Sequence, residues 1–191
     1  MHTTSTKQKL ILSLLELGAK NGIDNVSIAQ LAEANGISKA SVFHHFASRQ
    51  EMVSSLFAYC AKLAYEQQIT IPLNGAATDV LFRAMDHWHE VYTTEPLSWF
   101  YSIIEAEKLT HSEASAIAST LSEMFDGQSR ILIEALAETG RLDVEDLDLA
   151  VEMFSSTVQN LLTKVLIGKD EDLPWREEKF ITGFCALYQP T

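Results

Sequence analysis

Three stretches hold residue types whose spacing could do chemistry. Residues 37–52, ISKASVFHHFASRQEM, place Lys39, Ser41, His44, His45 and Arg49 within one short segment. Such a set can donate to nucleic-acid bases and phosphates, or the histidine pair could hold a metal. Adjacent helical residues do not face each other, which argues against a shared ion. Residues 86–90, DHWHE, look like ligands as well. On a helix, however, His87 and His89 lie about 200° apart. Asp86, His89 and Glu90 cluster, but opposite an apolar stripe, so a solvated face is expected. The third stretch surrounds Gln128, which interrupts the stripe Ala114, Ile117, Leu121, Met124, Phe125, Leu132, Leu136. A buried amide there needs partners. No Ser-His-Asp, Cys-His or phosphate-loop pattern is present. Cys60 and Cys185 fit neither zinc nor redox spacing. Catalytic residues, a metal and a cofactor are therefore not expected, and neither is an enzyme.

The elements carrying these residues read as helices throughout. Apolar residues recur at helical spacing over residues 7–22, 76–93, 97–109, 144–167 and 175–188, and a long helix is expected to end at residue 138. Ser27 with Gln30, Ser48 with Glu51 and Thr110 with Glu113 have the spacing of capping boxes. Gly36 follows Asn35 as a helix stop, and Pro96 suits a helix start. No alternating strand pattern, repeat or low-complexity tract appears. The expected class is all-α, with about nine helices. No run of eighteen apolar residues occurs, so no membrane span is expected. The amino terminus lacks the apolar core of a signal peptide. A cytoplasmic protein is expected.

Two short helices around Gly36 make a helix-turn-helix over residues 27–46. Ala32 supplies the small residue where the helices cross, and Ile37, Val42 and Phe46 face inward. In such a unit the second helix enters the major groove with its first residues at the base edges. Those are Lys39, Ala40 and Ser41. Lysine can donate to guanine, the alanine methyl can meet a thymine methyl, and serine suits either. Ser27, His44, His45 and Arg49 would contact phosphates, which position the protein without specifying sequence. Charge points the same way. The whole chain carries −12, while residues 1–50 hold five basic and three acidic side chains, leaving +2 there and −14 in the remainder. A mildly basic head on an acidic body suits a nucleic-acid contact at one end.

Residues 7–56 resemble the amino-terminal DNA-binding domain of TetR-family transcriptional regulators. The resemblance rests on Ile28-Ala29, Ala32, Gly36-Ile37-Ser38-Lys39, Phe43, His45-Phe46 and Ser48-Arg49. Where the family usually has a phosphate-binding tyrosine this chain has Phe43, and where it has lysine this chain has Arg49. The resemblance implies a DNA-binding domain over residues 1–50 and a ligand-binding and dimerisation domain over 51–191. It places Phe43 beside the DNA backbone. It further implies that the seventh helix lines an inducer cavity. Cys60, Trp88, Tyr92, Trp99, Ile103, Phe125, Gln128 and Phe154 are the candidate lining, although each aromatic also suits a plain core. The last two helices would pair with a second copy through Val158, Leu161, Leu162, Val165, Phe180 and Phe184. The implied function is a homodimeric repressor of a near-palindromic operator, released by a small-molecule inducer. The rival is a related protein whose degenerate head no longer binds DNA, acting through a protein or ligand.

Overall fold

The computed structural model describes residues 5–67, 70–168 and 170–190. Among these it contains nine α-helices and no strands. They are α1 (Thr6–Asn21), α2 (Ile28–Ala34), α3 (Lys39–His45), α4 (Arg49–Glu66), α5 (Ala77–Thr93), α6 (Leu97–Glu107), α7 (Ser112–Glu138), α8 (Leu147–Ile167) and α9 (Leu173–Leu187). A single 3-10 turn, Ile23–Asn25, follows α1. The chain divides into two compact units, residues 1–68 with 94–118 and residues 69–93 with 119–191. The first unit reaches well past residue 50, because α4 and α6 both pack on it.

In the first unit, Leu10, Leu14, Leu31, Val42, Leu56 and Phe57 are fully buried. Their spacing follows the helical period on each element, so one face of each short helix is withdrawn from water. Gly18 lets the elements close up. A Cβ there would lie 2.9 Å from Ile23 Cδ1 and 3.1 Å from Ile103 Cδ1, so a side chain would have to displace those two methyl groups. The caps are mostly local. Ser27 and Gln30 form the reciprocal capping box expected of them. Ser48 accepts from the Glu51 amide, but the Glu51 carboxylate takes the Ala47 amide (2.7 Å) instead of returning to Ser48. Thr110 does not cap α7. Its hydroxyl turns back to the Glu107 carbonyl, and His111 Nδ1 accepts from the Ala114 amide at 3.4 Å. Glu113 is thereby free to accept from Ser54 Oγ at 3.0 Å.

The second unit is built around Phe154, which has no exposed surface. Its ring centroid lies 5.1 Å from Phe184, 5.7 Å from Phe180 and 6.3 Å from Trp88. Beside this column a polar seam joins α7 to α8. Asp126 accepts from Ser155 Oγ and from Gln159 Nε2 (3.1 Å), and Ser122 Oγ donates to Gln159 Oε1 (3.0 Å). Buried polar groups that satisfy one another fix the register of the helices that carry them. Helix α8 begins at Leu147 rather than residue 144, because the Asp146 carboxylate accepts from the Leu149 amide at 3.0 Å. Helix α9 begins two residues before Trp175, with Pro174 in its first turn.

Candidate functional site

The helix-turn-helix is set by hydrogen bonds that the sequence spacing makes available. Gly36 takes a left-handed conformation (φ 63°), and the Ile37 amide reaches back to the Ala32 carbonyl at 3.0 Å. Asn35 ties the turn to α1 by accepting from Ser13 Oγ at 3.2 Å, while its own amide donates to the Leu31 carbonyl. Val42 and Phe46 anchor α3 from beneath, both buried. The outward face of α3 then carries Lys39, Ala40, Phe43 and His44, all exposed. Ser41 and His45 are half-buried. The Ser41 hydroxyl lies 2.9 Å from the Ser38 hydroxyl, inside the helix cap. Ser27 is similarly engaged, since its hydroxyl donates to Gln30 Oε1 at 2.8 Å.

Arg49 does not point outward as a phosphate ligand would. Its guanidinium donates to the backbone carbonyls of Val26 and Ile23. Asp24 lies 3.7 Å away. These carbonyls belong to the turn between α1 and α2, so Arg49 fastens that turn to the start of α4. Lys20 is also committed, 2.6 Å from Glu16. Lys7 lies over the Phe46 ring at 5.1 Å. Lys39 is thus the cation best presented on the recognition face.

The second unit holds a separate cavity of about 170 Å³, lined by Thr70, Ile71, Leu73, His87, Trp88, Gln128, Ile131 and Leu132. Trp88 Nε1–H donates to Gln128 Oε1 at 3.1 Å, and the Trp88 ring rests on Phe125 with centroids 4.5 Å apart. The wall formed by residues 70–75 is held from two sides. Arg83 donates to the carbonyls of Pro72 (2.7 Å) and Asn74, and Arg141 to those of Leu73 and Gly75 (3.0 Å).

Comparison with known proteins follows the same outline. Residues 10–56 match the model of the bacterial regulatory proteins of the tetR family. A Saccharomonospora viridis protein assigned as a transcriptional regulator, solved in complex with choline, is 19% identical, with 96% of this chain and 97% of that one covered and a TM-score of 0.76. A TetR transcriptional regulator from Chloroflexus aurantiacus is 15% identical over 96% of each chain, TM-score 0.73. The ketosteroid transcriptional regulator KstR2 of Mycobacterium tuberculosis is 16% identical over 100% of this chain and 98% of that one, TM-score 0.68. Residues 10–56 therefore carry a tetR-type amino-terminal domain, and the chain shares the fold of these solved structures.

The expected ligand residues divide between the two units. Cys60 and Ile103 are buried in the first unit, and Trp99 borders a groove there with Tyr59, Glu16 and Glu95. Trp88, Tyr92, Phe125, Gln128 and Phe154 are in the second unit. Of these, Trp88 and Gln128 face the cavity together, while Phe125 and Phe154 support Trp88 from behind. Burial raises the Cys60 thiol to about 12 and the Cys185 thiol to about 11, so neither is a reactive thiolate at neutral pH. The cavity residues that sequence reasoning missed are Thr70, Ile71, Leu73, His87, Ile131 and Leu132. Leu132 drew notice only as part of the α7 stripe, and His87 only as a metal ligand that helix geometry argued against. Among the described residues no group of three His, Cys, Asp or Glu could hold a metal ion, and no helix is long and apolar enough to cross a membrane. His89 is not on an open face. Its Nδ1 lies 3.6 Å from Glu177 Oε1 on α9, and burial together with Asp86 pushes the Glu177 carboxyl upward against the opposing pull of His89.

The residues expected to face a second copy differ in how much surface they keep. Val158, Leu161, Leu162 and Phe184 are buried within a single chain, and Val165 and Phe180 are half-buried. Val158, Leu161 and Leu162 fill the chain's own core, whereas Phe180 and Phe184 border a surface groove with Met153, Trp175 and Leu187. The exposed apolar residues of α8 and α9 are instead Leu149, Met153, Ile167, Trp175 and Leu187.

Arg49 also yields a prediction opposite to that of a phosphate contact. Arg49→Ala should lower head stability by about 1–2 kcal/mol, a value reduced from that of two charge-assisted hydrogen bonds because the side chain is partly solvated. The salt dependence of DNA binding should stay as steep as in the wild type. Thermal melts and anisotropy titrations at several salt concentrations read both quantities. A flatter salt response with unchanged melting would return Arg49 to the DNA backbone.

Proposed function

We propose that this regulator is a homodimeric, ligand-responsive repressor that binds a near-palindromic operator and acts in the cytoplasm. The observation that carries DNA reading is the outward face of α3, where Lys39 and Ala40 stand exposed at the start of a helix anchored by Val42 and Phe46. Phe43, His44, His45 and Ser27 would lie along the sugar-phosphate backbone on either side. Two such faces related by a two-fold axis match two half-sites about one helical turn apart.

Dimerisation is supported by α9. Trp175, Lys179, Gly183 and Leu187 follow at four-residue spacing and so share one face. Gly183 costs a helix interior about 1 kcal/mol relative to alanine. Its own chain does not require it, because nothing lies within 4 Å of where a Cβ would sit. A second helix approaching closely gives that glycine a purpose.

Inducer binding is supported by the Trp88–Gln128 cavity, and the choline-bound relative shares the fold. Helix α7 carries Gln128 at the cavity and, fifteen residues earlier, Glu113, which holds Ser54 on α4. A ligand that prefers one position of α7 would bias α4 and with it the spacing of the two heads.

The test is selection from a randomised DNA pool with purified protein, followed by anisotropy titration of the recovered site. The wild type should bind with a steep salt dependence, about −0.9 in log K against log salt for each phosphate neutralised. Lys39→Ala should relax one base pair per half-site by about 1–3 kcal/mol. A second reading has one observation in its favour: with Arg49 holding backbone carbonyls and Lys20 paired with Glu16 on the surface, few cations remain for phosphates. If no sequence is enriched at low salt, the head is degenerate and the chain acts by binding ligand or protein.

A further inference from the structure

We infer that the cavity of the second unit selects a small, uncharged, single-ring molecule bearing a hydrogen-bond acceptor such as a ketone or ester oxygen. This rests on the reading of that cavity as the inducer site and adds its chemistry. The deciding contact is between Trp88 and Gln128. An indole N–H can only donate, so the atom of Gln128 that receives it, 3.1 Å away, must be the amide oxygen. The carboxamide is thereby fixed, and its NH2 group, with two donors, is the end left for a guest. The cavity therefore offers hydrogen-bond donation from Gln128, at a fixed position on α7.

Size and charge narrow the guest further. The space is about 170 Å³, open to solvent on the side of Ile131 and Leu73. An apolar protein cavity of about 150 Å³ accommodates benzene, so one ring with a short substituent fits. The remaining surface comes largely from Ile71, Ile131, Leu132 and the Trp88 ring, and no lysine, arginine, aspartate or glutamate lines it. Burying a carboxylate or an ammonium without an opposite charge is costly. The guest is thus neutral, lying against the indole with its oxygen turned to the Gln128 amide. His87 lines the same cavity and adds polarity there.

Four probes of one shape separate these terms: acetophenone, ethylbenzene, benzoate and phenyltrimethylammonium. Binding is read on the full-length protein by the indole N–H resonance of Trp88, assigned by comparison with Trp88→Phe. Acetophenone should bind about three- to tenfold tighter than ethylbenzene, the worth of one net hydrogen bond. Benzoate and phenyltrimethylammonium should bind more weakly than either. Gln128→Glu is the informative variant, because a carboxylate still accepts from Trp88 but has no N–H to give. It should erase the preference for acetophenone and leave ethylbenzene within about twofold. Circular dichroism and the position of the free Trp88 resonance check that the variant stays folded. Gln128→Leu, which loses the oxygen as well, should erase the same preference while also shifting the free Trp88 signal. Equal affinity for acetophenone and ethylbenzene, tighter binding of either ion, or a preference that survives in Gln128→Glu overturns the inference while the cavity stands as a binding site. If none of the four moves the Trp88 resonance at millimolar concentration, the cavity is not a ligand site, and both readings fall.

Discussion

The double variant Met153→Lys, Leu187→Lys should fold normally, run as a monomer of 21.3 kDa and lose operator binding by about 10²- to 10⁴-fold. Both residues are exposed in the single chain, so lysine at either position disturbs no core. Across a two-fold axis this face would meet its own copy. Four new ammonium groups would then join Arg176 and Lys179, which border this face already. The loss in DNA affinity follows from linkage of the two heads. Once one half-site is occupied, the second head binds at an effective concentration in the millimolar range, and a monomer forfeits that term entirely. The choice of lysine sharpens the result. Added positive charge favours DNA in general, so a fall in affinity cannot come from weaker attraction to phosphates. Light scattering coupled to gel filtration gives the mass, and anisotropy titration gives the affinity. A variant that remains dimeric and binds the operator as before would place the interface elsewhere.

That face illustrates what sequence reasoning could and could not resolve. The helices were legible wherever a local signal set their ends. Ser27 with Gln30 caps α2, Gly36 stops it, and the small Ala32 with Val42 and Phe46 forms the helix-turn-helix core as expected. Each of these signals acts within a few residues, where spacing alone determines geometry. Helix α8 is different, because Leu149, Met153, Val158 and Leu162 are all apolar and recur around more than one side. Periodicity marks them as helical but does not say which stripe meets the chain's own core. Packing decided it: Val158 and Leu162 went inward and Leu149 and Met153 outward. Arg49 failed for the same reason. Its charge and position suit a phosphate, yet the carbonyls of Ile23 and Val26, more than twenty residues earlier, claim it. The cavity wall at Ile71 and Leu73 had no periodicity to betray it, since a connector carries no repeating face. Gln128 was the exception. A polar residue in an apolar stripe is a local anomaly that points to a partner, and Trp88 supplies it.

Phe154→Ala should have the largest effect on stability, about 3–5 kcal/mol by chemical denaturation. Phe154 is fully buried, and three aromatic rings from two other helices rest on it. Truncation removes the transfer term for the ring and leaves a void that helices pinned by the Asp126–Ser155–Gln159 seam cannot readily close. The functional consequence runs through Trp88. Phe125 and Phe154 support the indole that donates to Gln128, so removing one support lets the indole tilt and the amide lose its fixed orientation. The variant should therefore lose discrimination between acetophenone and ethylbenzene as well as stability, although Phe154 does not line the cavity. Phe154→Leu fills most of the void and should retain more of both properties. Two measurements on the same samples, a urea titration and the Trp88 resonance with each probe, separate the effects. If Phe154→Ala costs less than about 1 kcal/mol, the aromatic column has collapsed to refill the space, and the seam does not hold α7 and α8 apart as described. If stability falls but discrimination persists, Phe125 alone suffices to orient Trp88, and the aromatic column serves the fold without setting the geometry of the site.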